Sequence, residues 1–114
     1  MFKFETLEVW KKAVDLHATL SPLSRSIDQK DQFSIGEQIR KASLSISTNI
    51  AEGTGRESVR EARYFFNIAK GSVYEVVSLL YVMRKSGYIA DESYHALYEQ
   101  CDEIARMLSG MMRR

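Results

Sequence analysis

Apolar residues recur every three or four positions along almost the whole chain, and only one proline interrupts them. That period belongs to the α-helix and is incompatible with the alternation of a strand. One proline and six glycines also leave too little turn material for a β-protein. The spacing predicts four helices. The first covers roughly residues 6–27, with Leu7, Trp10, Val14, Leu20, Leu23 and Ile27 on its stripe and Thr6 as a plausible N-cap. Pro22 falls inside it and should kink it or end it near Leu20. The polar run IDQKDQ then leads to a second helix from Ser34. Ser34 and Glu37 have capping-box spacing there, and Ile35, Ile39, Ala42, Ile46 and Ile50 follow on one line.

The third helix should start at Ser58, again with a glutamate at the capping-box position, Glu61. It carries Ala62, Phe65, Phe66, Ala69, Val73, Val76, Leu80 and Met83, and ends at Gly87 after Arg84 and Lys85. The fourth begins with Asp91 as N-cap and continues through Tyr94, Leu97, Cys101, Ile104, Leu108 and Met111. Short connections between long helices imply antiparallel neighbours. The expected fold is therefore all-α, an antiparallel up-down four-helix bundle. A length of 114 residues suits a single domain, 1–114, able to bury its own core.

The segment NIAEGTGR, residues 49–56, has the look of a phosphate-cradling loop. It lacks the GK[ST] ending of such a loop and no strand precedes it, so it is read as a turn. Gly53 is expected to end the second helix with positive φ. Mid-helix Gly71 is expected to let helices two and three approach closely near Ile39. An ion pair between Arg40 and Glu75 is expected in the same packed region.

No catalytic constellation emerges. Glu92-Ser93-Tyr94-His95 supplies one Glu-x-x-His motif where a di-metal bundle needs two, and His17 has Val14 at the corresponding position. Cys101 lies on the core stripe of its helix and reads as a small buried apolar group. One cysteine and two distant histidines make no zinc pattern. The reading is non-enzymatic, with no cofactor and no metal. The lone cysteine favours a reducing compartment. The N-terminal MFKFETLEVWKK has no apolar core of a secretory leader, and no apolar run approaches a membrane span, so a cytoplasmic protein with no membrane partner is expected.

Two surface features remain. The stretch VYEVVSLLYVM, residues 73–83, is apolar nearly all round, more than one buried face requires. Such excess marks an interface, so a homo-oligomer is expected. Secondly, Arg40, Lys41, Arg56, Arg60, Arg63 and Lys70 cluster on the second helix, the turn and the third helix, with Lys11, Lys12 and the Arg113-Arg114 tail adding charge. Such a face could bind the phosphate backbone of RNA or DNA. On the residues alone, the interspersed acids and a net charge of +1 favour an ordinary solvated face over such a site.

The segments QIRKASLSISTNIAEGTGR, residues 38–56, and FFNIAKGSVYE, residues 65–75, resemble a bacterial four-helix-bundle family. Its founding members are encoded in intervening sequences of 23S ribosomal RNA genes. FETLEVWKKAVDL, residues 4–16, fits as well, so the resemblance covers nearly the whole chain. It implies a bundle assembling as a homo-oligomeric ring, a homopentamer. A related branch serves as an accessory protein to the reverse transcriptase of diversity-generating retroelements, with a basic ring surface that engages nucleic acid and enzyme. By that resemblance the expected partners are further copies of the chain, RNA or DNA, and a nucleic-acid enzyme. Two family prolines are replaced, one within IDQKDQF and one at Ser47-Thr48, which points to altered helix geometry. The retroelement branch is also typically more basic than this chain. The other functional reading is a protein–protein scaffold with no nucleic-acid role, using Tyr81 and Tyr88.

Overall fold

A computed structural model describes residues 1–113; Arg114 lies outside the described residues. Four long helices dominate: α1 (Glu8–Arg25), α2 (Glu37–Thr54), α3 (Val59–Lys85) and α4 (Asp91–Met112). No strand occurs among the described residues. A 3₁₀ turn, Lys3–Thr6, precedes α1. A helical turn, Gln29–Asp31, and a π-helical turn, Gln32–Gly36, lead into α2.

Cross-helix contacts give the topology. Ser45 meets Ser72 at 2.8 Å, and Gly53 lies against Phe66, so numbers rise on α2 as they fall on α3. The same inverse relation links His17 with Ser43 and Ser24 with Arg40 across α1 and α2. It links Arg84 with Asp91 and Tyr81 with Tyr94 across α3 and α4. Successive helices are therefore antiparallel neighbours, and α4 closes onto α1 through Lys12 and Glu103 at 3.1 Å. The result is an up-down four-helix bundle 43 Å long and about half as wide.

The stripes of α2, α3 and α4 are buried where their spacing places them, from Ile39 to Ile50, Phe66 to Met83 and Tyr94 to Leu108. The stripe of α1 is different. Val9, Ala13, Leu16 and Leu20 face the core, Val14 is exposed, and Leu7, Trp10 and Leu23 are half-buried. Trp10 packs on Phe4 of the preceding turn, ring centroids 4.8 Å apart, and caps one side of the bundle.

Pro22 does not end α1, which runs on to Arg25. A proline in a helix interior costs roughly 3 kcal/mol. Burial of Leu20 and Ile27 to either side of it offsets that cost.

Several expected caps are corrected. Thr6 donates to the carbonyl of Lys3 and does not cap α1, whose cap position is Leu7. Ser34 and Glu37 form no capping box, because the chain is already helical from Gln29 and Ser34 sits inside the π-helical turn. Gly53 lies within α2 without positive φ, and the helix passes it to Thr54. At α4 the cap position is Ala90, with Asp91 in the first turn. Two readings hold. The Ser58 hydroxyl caps α3 by accepting from the Glu61 N–H at 3.1 Å and donates to the Glu61 carboxylate. Gly87, at φ 81°, ends α3 in a Schellman motif, with Tyr88 N–H on the Met83 carbonyl and Gly87 N–H on that of Arg84.

Candidate interaction surface

The outward side of α3 combines the charge and the apolar excess seen in the sequence. Arg60, Arg63, Asn67, Lys70, Tyr74 and Tyr81 follow one another at three- and four-residue steps or a multiple of them, so they form one line on the helix. Its first half is cationic and its second aromatic. Tyr64 and Tyr74 are 63% and 64% exposed, Tyr81 is exposed further along the line, and Ile68 and Val82 are exposed beside it. A bundle helix buries its apolar residues unless something else covers them. Val76 and Leu80 do face the core, so the excess apolar content of 73–83 lies on the outside.

The six cations singled out in the sequence do not form one patch. Lys41 and Arg56 are separated by roughly 20 Å along the bundle, at 1.5 Å per helical residue. Arg40 is half-buried, its Nη1 donating to Ser24 Oγ at 3.0 Å and to Gln32 Oε1 at 3.2 Å. This replaces the expected Arg40–Glu75 pair, since Glu75 points outward and is exposed. Arg40 packs towards α1 and the π-helical turn, where it donates to the buried Ser24 hydroxyl, itself donating to the Ser21 carbonyl at 2.7 Å.

Lys41 pairs with Glu37 at 2.8 Å, and its ammonium holds the Glu37 carboxyl below the usual carboxylate range. Arg56 pairs with Glu52 at 3.0 Å and lies 4.5 Å over the ring of Phe65. Arg60 makes no ion pair or hydrogen bond among the described residues, and Lys70 lies 5.9 Å from the Tyr74 ring. Arg60, Arg63 and Lys70 are the cations on the outward line of α3, with Lys70 half-buried.

No atom of another helix lies within 4 Å of the place the Gly71 β-carbon would take, so it does not mediate the α2–α3 approach. That role falls to Gly53, where a β-carbon would collide with the Phe66 ring. Between α3 and α4, the side chains of Tyr74 and Tyr98 flank an open groove of about 260 Å³ floored by Val73, Val77, Cys101 and Ala105.

Cys101, His17 and His95 sit in three different surroundings. Burial pushes the Cys101 thiol up to about 12, which disfavours the nucleophilic thiolate. His17 Nδ1 lies 2.7 Å from Ser43 Oγ, but Ser43 is fully buried and also donates to the Arg40 carbonyl. His95 is exposed and edges onto Tyr94. Among the described residues no group of His, Cys, Asp and Glu is arranged to hold a metal, and no helix is long and apolar enough to cross a membrane.

Residues 5–110 match the model of the 23S rRNA-intervening sequence protein family. The chain belongs to that family. Among solved structures, a protein of unknown function from the S23 ribosomal protein family of Bacteroides thetaiotaomicron superposes with a TM-score of 0.86. The two are 22% identical, over 93% of this chain and 99% of the other. Comparison with curated proteins gives no match. For this member of the 23S rRNA-intervening sequence protein family, the similarity to a solved structure establishes the four-helix fold. The function is argued from the surface.

Proposed function

We propose that this protein is a non-enzymatic helical bundle that works as an assembly of identical copies, joined through the outward side of α3. One observation carries this reading: Tyr64, Ile68, Tyr74, Tyr81 and Val82 are all exposed on one helix whose core stripe is already buried. A patch of that kind is unusual on a monomer and common at interfaces, where tyrosine is enriched. The ring implied by the family resemblance fits such a surface. Replacing Ile68 and Tyr74 together by glutamate tests it. The double variant should keep its helix content and lose its higher mass; retention of the wild-type mass speaks against the α3 surface.

A second reading builds on the first, and one observation favours it. Arg60, Arg63 and Lys70 share a line on α3 next to Asn67, and Arg60 is not neutralised by an acid of its own chain. Repeated in an assembly, this group would bind a nucleic-acid backbone and give salt-sensitive affinity. The family description ties its members to 23S rRNA genes, which makes structured RNA the first ligand to try. Lys41 and Arg56, engaged by Glu37 and Glu52, and half-buried Arg40 contribute less to such a surface.

A further inference from the structure

Phe33 stands out from its own chain. It is 79% exposed and makes no ring contact among the described residues. Its backbone is nonetheless pinned. Gln32, directly before it, donates from Nε2 to the carbonyls of Ser24 at 2.8 Å and Ile27 at 2.6 Å, and accepts from Arg40. Asp31, one residue earlier, accepts from the Tyr88 hydroxyl of the α3–α4 turn. Gly36, three residues later, is buried. The π-helical turn thus holds a large aromatic side chain out into water on a fixed base. An anchor on a fixed base binds without first giving up much of its own freedom.

The α3–α4 groove is a matching cavity. Its floor is apolar, and its walls are Tyr74 and Tyr98, both exposed. Asp102 at the rim is occupied by Arg106 at 3.1 Å. At about 260 Å³ the groove is smaller than typical small-molecule pockets of roughly 300–1,000 Å³. It suits one bulky side chain, and aromatic walls favour an aromatic occupant.

Phe33 sits on the connection between α1 and α2, and the groove runs between α3 and α4. Within one chain the exposed Phe33 ring is not among the residues that line the groove. Between copies knob and groove join unlike surfaces, which is the head-to-tail contact that generates rings. We propose that Phe33 of one copy seats between Tyr74 and Tyr98 of the next. This rests on the self-association reading above and specifies its contact: the groove is complete only when a second copy contributes the aromatic ring.

The test mixes two variants of the full chain. Phe33→Ala lacks the knob and keeps the groove; Tyr98→Lys keeps the knob and spoils the groove. Both changes are at exposed positions, and circular dichroism checks that each variant is folded. Sedimentation should show each alone weakened in self-association by about thirtyfold or more, the loss typical of a buried aromatic anchor. An equimolar mixture should form a complex of two chains and no larger species, since only one productive junction is left. Phe2→Ala, another exposed aromatic, should leave the wild-type mass unchanged. If Phe33→Ala keeps the wild-type mass, or the mixture forms no two-chain complex, this contact is overturned while self-association stands. If the wild-type chain is itself monomeric, both fall.

Discussion

Gly53 of α2 lies under the ring of Phe66 on α3, so close that a β-carbon at residue 53 would stand 2.6 Å from Phe66 Cε1 and 3.2 Å from the Ala62 carbonyl oxygen. Phe66 is buried and cannot swing away. Alanine is the better helix former by about 1 kcal/mol, but forcing an atom into a packed site typically costs about 1–3 kcal/mol. Gly53→Ala should therefore destabilise the bundle by up to about 2 kcal/mol, read as a lower urea midpoint with an unchanged slope. An unchanged or higher midpoint would show that the α2–α3 approach is looser than this.

Gly71 gives the opposite expectation. With open space where its β-carbon would go, Gly71→Ala should raise stability by about 0.5–1 kcal/mol. The two substitutions measured together separate a glycine needed for packing from one that is not.

Arg40 should behave as a structural residue. Its removal leaves Ser24 and Gln32 without a donor beneath the π-helical turn. Arg40→Ala should cost about 1–3 kcal/mol in chemical unfolding, and lysine should restore little, since it lacks the planar fork of donors. RNA affinity of the folded fraction should barely change.

The Tyr88–Asp31 bond predicts a dependence on alkaline pH. The hydrogen bond to the Asp31 carboxylate, then burial, then the charge of Asp31 raise the Tyr88 hydroxyl from 10.0 to about 12. The folded chain holds this proton more tightly than the unfolded chain. The stabilisation is therefore complete below pH 10 and is lost as pH rises towards 12. In parallel melts, the gap between the wild type and Tyr88→Phe should narrow across that window. A constant gap would mean that the bond does not couple folding to this proton.

Charge reversal tests the nucleic-acid reading. Arg60→Glu with Arg63→Glu should abolish RNA binding while the assembly persists. Against a titration of salt, the wild type should show a steep logarithmic slope. Binding by the double variant with the wild-type slope would move the contact elsewhere.

Much of the fold was legible because a helix buries residues at a fixed period, and Ile39, Ala42, Ile46 and Ile50 all fall where that period puts them. The stripe of α1 was misjudged because Trp10 and Leu23 are apolar at similar spacing yet pack at the rim, while small Ala13 faces the core. Ser34 was misread because a cap depends on the residues before it, and the helical turns from Gln29 onward leave no free helix end there. Gly53 and Gly71 look alike in sequence; only the neighbouring helix distinguishes them. The apolar excess of α3 was readable as spacing. The engagement of Arg40 was not, because its partners Ser24 and Gln32 are ordinary polar residues brought to it by the fold. The Phe33 knob had one available signal, a phenylalanine in the polar connection IDQKDQF.

The central claim is that the chain works as an assembly. Its most direct test is the molar mass of the purified wild-type protein by light scattering at micromolar concentration. A mass that is a whole multiple of 13.1 kDa, held on dilution, is the expected result. A mass of 13.1 kDa at every concentration would contradict it and leave the exposed face of α3 without a partner of its own kind.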